Sequence, residues 1–169
     1  MNPTIRRFLV ISAIVIFLGN GIGIAQDFRA FRADRTVAGA TAHPIASDLK
    51  RVGIYPTLSK SGGGYFFDNV LEYRVWLSPK AGAAQVAGGS DYYVAFAQFE
   101  RAASFAKATK GADEPLVLVR QLEWIDEPSP GKFEHKTGER VTEWRVDWLT
   151  GNQRTPEGVA KFLSNTRRK

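Results

Sequence analysis

Two imidazoles occur in the chain, His43 and His135. A hydrolytic triad or a histidine metal site would need one of them beside a carboxylate or hydroxyl, and no motif ties either to such a partner. His43 lies in an unpatterned stretch. His135 sits between Glu134 and Lys136 in a short strand pattern, where a solvated hairpin residue is the simpler reading; it is kept as a ligand-contact candidate. The carboxylates fall into Asp113-Glu114, Asp126-Glu127 and the row Glu139, Glu143, Asp147. Glycosidase or metal chemistry wants two carboxylates converging in a cleft. Neighbours in a strand point to opposite faces, and Arg145 lies between Glu143 and Asp147 on their face, so cross-strand ion pairing is the expected role. Cysteine is absent, which removes thiol nucleophiles, thiolate zinc sites and disulfides. No metal site is expected. Of the four tryptophans, Trp144 and Trp148 fall on an apolar strand face and read as core. Trp76 shares a strand face with Arg74, so Trp76 and Arg74 join His135 as ligand-contact candidates, unless a second helix or the N-terminal segment covers Trp76.

The elements that must position these side chains centre on Glu114 to Pro128. Leu116 to Val119 is apolar on both faces, as in the middle of a covered sheet. From Arg120 the pattern alternates, with Leu122 and Trp124 on one face and Gln121 and Glu123 on the other. Before this central strand, Leu71 to Leu77 and Asp91 to Ala97 read as strands around an Ala/Gly-rich loop. Gln98 to Thr109 reads as a helix with Phe99, Ala102, Ala103 and Ala106 as its apolar stripe, closed by Gly111. After it, Ser129-Pro130-Gly131 makes a turn, and Thr137-Gly138 signals a hairpin between Phe133–Lys136 and Glu139–Leu149. Thr155-Pro156-Glu157 reads as the start of a last helix. The order β-β-α-β-β-β-α predicts an α+β fold: a small antiparallel sheet with helices on one face. Leu116, Leu118, Val94, Phe96, Phe99, Trp144 and Val146 are the expected common core.

Residues 1–25 have the grammar of a signal peptide or membrane anchor: Arg6 and Arg7, the apolar run from Phe8 to Leu18, then Gly23-Ile24-Ala25. This predicts a protein exported to the periplasm or held at the inner membrane through its N-terminal helix, with the body outside. Residues 26–70, with Gly39, Pro44, Pro56 and Gly62-Gly63-Gly64, read as a poorly structured linker. The α+β domain is expected over 71–165 and a basic tail over 166–169. Met1 is the only methionine, so a shorter, cytoplasmic product would start at Val70 or Leu71. The net charge of +6 belongs to the ends: residues 72–166 hold twelve basic against thirteen acidic side chains. A nucleic-acid partner is therefore not expected.

From about Glu72 to Leu163 the chain resembles a group of short bacterial proteins assigned to the GNAT superfamily of acetyltransferases. The resemblance rests on Tyr73-Arg74-Val75-Trp76, Asp91 to Ala97, Glu114 to Val119, Glu123 to Pro128 and Glu139 to Trp144. It implies an acyl-CoA-dependent N-acetyltransferase with acetyl-CoA as cofactor. Such enzymes hold the coenzyme A pyrophosphate on a Gln/Arg-x-x-Gly-x-Gly/Ala turn that opens into a helix. The nearest run here, Gln85 to Ser90, ends in Ser and leads into a strand pattern, so no catalytic residue is carried over. Two expectations stand side by side. One is a non-catalytic module, without cofactor, that binds a protein or small ligand; the other is the acetyltransferase.

Overall fold

The computed structural model of the protein describes residues 43–56, 62–86 and 89–166. Its elements are β1 (Asn69–Leu77), β2 (Tyr92–Phe96), α1 (Phe99–Ala108), β3 (Leu116–Ser129), β4 (Lys132–Arg145) and α2 (Gly158–Thr166). The fold is α+β: four antiparallel strands in the spatial order β2-β1-β3-β4, with two helices. The stretch read as central, β3, lies between β1 and β4.

One strand fewer forms than the sequence suggests. Thr137-Gly138 makes no hairpin; it lies inside β4, at a register shift between the Gln121 and Glu123 pairings. The hairpin falls at Pro130-Gly131, between the paired Ser129 and Lys132. Proline at the second position of that turn and Gly131 at φ +77° in the third suit it. The order is therefore β-β-α-β-β-α.

A bulge at Leu71 divides the core. Val70 pairs with Val119 and Glu72 with Leu118, which leaves Leu71 as the extra residue. Val70 joins Tyr73, Val75, Val117, Val119 and Trp144 in the larger cluster, into which α1 inserts Ala102. Leu71 turns the other way and packs with Leu118 and Tyr55. Leu118 and Trp144 thus belong to different layers, contrary to the single core expected. A third cluster joins Phe66, Ile125 and Val159 of α2, with Phe162 and Leu163 beside it.

Residues 43–56, within the stretch read as a linker, form a strap over the second layer. Ala46 and Tyr55 are buried; Ala46 donates to the Ala97 carbonyl and Ser47 to that of Val70. The strap covers the sheet face that carries Glu143, which is buried there with Glu72 and Arg74. Beyond Arg120 the alternation is also reversed relative to expectation. Gln121 is buried, donating to the Phe66 carbonyl at 2.7 Å, while Leu122 is exposed. The inward amide is tolerated because that backbone acceptor meets it.

Gly111 is left-handed (φ +74°) but stands two residues beyond the α1 cap, Thr109. A Cβ there would lie 2.4 Å from the Ala83 nitrogen and 2.8 Å from the Ser78 oxygen. It serves close backbone approach, not helix closure. Thr155, Pro156 and Glu157 form the turn leading into α2, and Gly158 donates to the Thr155 carbonyl. The expected signal or anchor (residues 1–25) and residues 167–169 of the basic tail lie outside the described residues.

Candidate functional site

Residues 62–68 cross from one free strand edge to another. Gly62 donates to the Glu143 carbonyl on β4 at 2.9 Å; Tyr65 and Asp68 donate to the carbonyls of Ile125 and Arg120 on β3. β3 is open on that side because β1 begins only at Asn69, opposite Arg120. The crossing tightens the curl of the β3–β4 hairpin. Gly62, Gly63 and Gly64 all have positive φ, which glycine adopts without strain. Arg140 and Thr142 donate to the Gly62 carbonyl, and the Trp144 indole to that of Gly63 at 3.1 Å. A Cβ on Gly64 would lie 2.7 Å from Gln121 Nε2. The glycine run is thus packed against the hairpin, with carbonyls turned toward protein donors.

Beside this crossing lies a cleft of about 670 Å³, within the range of small-ligand sites. Its aromatic wall is Tyr65, Trp144 and Trp148. β4 ends at Arg145, and the 3-10 turn Val146–Leu149 carries Trp148 out of the core. Trp148 is 40% exposed, the one exposed ring among the described phenylalanines, tyrosines and tryptophans. It meets the buried Trp144 edge-on at 6.1 Å, and Asn152 donates to its carbonyl at 2.9 Å.

The charged rim comes from the hairpin. Asp126, Glu127 and Glu134 line the cleft with a single ammonium, Lys136. Asp126 stands directly opposite Glu134 in the ladder, a like-charge placement that is unfavourable unless cations offset it. Lys136 lies 2.6 Å from Glu134, and Arg140 lies 3.2 Å from Asp126 with its guanidinium over the Trp124 ring. Donation from the Tyr65 hydroxyl, and then from the Gly131 amide, holds the Glu127 carboxyl below its ordinary range. The same bond pushes the Tyr65 hydroxyl up. Glu134 raises Lys136, so that ammonium stays charged. The lining thus carries three acidic side chains and one ammonium, with the Arg140 guanidinium pairing Asp126 from beside the cleft. Behind the glycine wall, Gln121 Oε1, Trp124 Nε1 and Arg140 Nε are buried without hydrogen-bond partners.

Of the three residues singled out from sequence, Arg74 and Trp76 meet at Glu143 and Tyr93, while His135 lies apart. Arg74 is wholly buried under the strap. Its guanidinium lies 2.7 Å from Glu72 and 2.9 Å from Glu143, donates to the carbonyls of Tyr55 and Pro56, and stacks on Tyr93. Burial alone would push that guanidinium down, but the two carboxylates outweigh it and hold it above its ordinary value. Trp76 is half-buried against Tyr93, 5.1 Å away, and donates to Glu143. His135 is exposed on β4 and paired with Glu123 at 2.8 Å, in a surface chain that continues to Arg154 and Asp68. His43 rests on the Phe99 ring at 4.0 Å, near Glu100.

The cleft residues escaped the sequence reading because the hairpin was placed at Thr137-Gly138. Moving it to Pro130-Gly131 sets Asp126 opposite Glu134, and Ser129-Pro130-Gly131 carried that signal. A second cleft, about 570 Å³, lies between α1 and the chain entering β3. Its Arg145 is bonded twice by Asp147. Among the described residues no three His, Asp or Glu side chains converge as metal ligands, and no helix is long and apolar enough to cross a membrane. Compared with family models, curated proteins and solved structures, the chain matches none.

Proposed function

We propose that the protein is a non-catalytic binding module, exported or tethered at the membrane, whose cleft takes a ligand presenting a cationic group on an apolar stem, such as a lysine side chain of a peptide. One observation carries this reading: Asp126 and Glu134 stand opposite each other on the rim of a cleft whose wall includes the exposed Trp148. Carboxylates attract the cation, and an indole face favours it further through its quadrupole. Trp148 rests on Trp144, and Glu127 is held by two donors, so little ordering is needed on binding.

The acetyltransferase alternative has less support. A pyrophosphate turn should open into a helix, whereas Ser90 is followed closely by β2. The longer chain is favoured over a cytoplasmic start at Val70 or Leu71. Without residues 43–68 the Arg74 network would lose its strap, and the β3–β4 curl its crossing segment. Calorimetry of the full chain tests the reading with three probes: a short lysine-containing peptide, the same peptide with its lysine acetylated, and acetyl-CoA. Binding of the first, weakened by salt and absent for the second, is expected. Equal binding of both peptides, or of acetyl-CoA alone, would overturn it.

A further inference from the structure

The described surface exposes few large apolar side chains, and they are unevenly placed. Ile45, Leu49 and Ile54 are 57%, 64% and 65% exposed. All three lie within ten residues of the strap, with exposed Lys50 and Arg51 between Leu49 and Ile54. The strap has no need to present them for folding: Ala46 and Tyr55 supply its buried contacts, and Arg51 lies over the Tyr55 ring at 4.4 Å. Three of the five exposed large hydrophobic side chains of the described residues thus fall on one short segment, a concentration that points to a contact surface.

We infer that this strap rests on an anionic lipid surface, its three aliphatic side chains entering the interface and its cations meeting the headgroups. Charge supports that occupant. Lys50 and Arg51 outnumber Asp48, whose carboxylate caps the Leu49–Arg51 turn, and just upstream Arg29, Arg32 and Arg35 outnumber Asp27 and Asp34. Each lysine or arginine near an anionic leaflet adds about 1 kcal/mol of attraction. Chain length supports it too. The apolar N-terminal run closes at Ala25 and the strap opens at His43, so even a fully extended connection keeps the two within roughly 60 Å. Aliphatic residues flanked by lysine and arginine are the composition of a segment lying in a membrane interface. The inference rests on the exported or tethered reading above, and the cleft stays independent of it.

The absence of cysteine permits a clean test. Ser47, exposed on the strap, is replaced (Ser47→Cys) in the full chain and labelled with an environment-sensitive fluorophore. The chain is reconstituted with phosphatidylglycerol-containing vesicles and, separately, with phosphatidylcholine vesicles. The expected result is a blue-shifted probe, shielded from aqueous iodide and quenched by spin-labelled lipid, more strongly with the anionic vesicles. In the background Ile45→Gln, Leu49→Gln, Ile54→Gln the probe should return to water while the chain still floats with the vesicles. A wild-type chain that floats with its probe fully open to iodide would overturn the strap contact and leave the tether intact. Failure to float would sink the tether reading itself. Shielding without lipid that rises with protein concentration would assign the face to a second copy of the chain and also overturn the inference.

Discussion

Replacing Arg74 by methionine should be among the most damaging single changes to the fold. Arg74 is the one positive charge between two buried carboxylates, at 2.7 Å from Glu72 and 2.9 Å from Glu143. Removing one partner of a buried ion pair costs about 3–5 kcal/mol, because the remaining charge is left without compensation. Here two carboxylates lose their cation, but each keeps one donor, Gly53 N–H for Glu72 and the Trp76 indole for Glu143. A loss of about 4 kcal/mol at neutral pH follows, a large share of the 5–15 kcal/mol typical of a domain. Urea unfolding of wild type and variant measures it. The triple variant Glu72→Gln, Arg74→Met, Glu143→Gln removes the charges yet keeps acceptors for both donors, and should be more stable than Arg74→Met alone. A loss below about 1 kcal/mol for the single variant, or a triple variant no better than the single, would refute the buried-network account.

Leu118→Ala should cost about 2–5 kcal/mol by urea unfolding, because Leu118 is fully buried between Leu71 and Tyr55. Gly111→Ala should cost at least about 2 kcal/mol, since it combines left-handed strain with a backbone clash; a melting temperature equal to wild type would contradict it. Tyr65→Phe should move the Glu127 carboxyl back up toward its ordinary range, followed by carbon-detected NMR titration. Because the wild-type carboxyl is held low, its contribution to stability is present above the ordinary glutamate range and is lost as pH falls through its folded value, so the two proteins should converge in acid.

Much of the fold was legible because it rests on local pattern. β1, β2, α1 and the centrality of β3 follow from β-branched and aromatic runs, an alanine stripe and the punctuating prolines. What failed was whatever depended on contacts between segments distant in sequence. Glycine-rich composition hid the 62–68 crossing, whose order comes from Arg140, Thr142 and Trp144 on β4. Arg74 read as a ligand-contact candidate and Glu143 as one partner of a cross-strand ion pair, because the pattern of their own strands does not carry the strap's contacts. Trp148 read as core because alternation was continued past Arg145, where the strand gives way to a 3-10 turn. The cleft was hidden by one misplaced turn: the Pro130-Gly131 signal was visible, but its consequence for Asp126 and Glu134 was not drawn.

The central claim, that the cleft binds a cation against an aromatic wall, is tested most directly by calorimetric affinity for a lysine-containing peptide in three proteins. Wild type should bind and weaken as salt is raised. Glu134→Gln should bind several-fold more weakly with a smaller salt dependence, since an exposed rim charge is removed. Trp148→Ala should lose most of the affinity while retaining wild-type unfolding, because that ring is 40% exposed. Unchanged affinity in both variants would contradict the account.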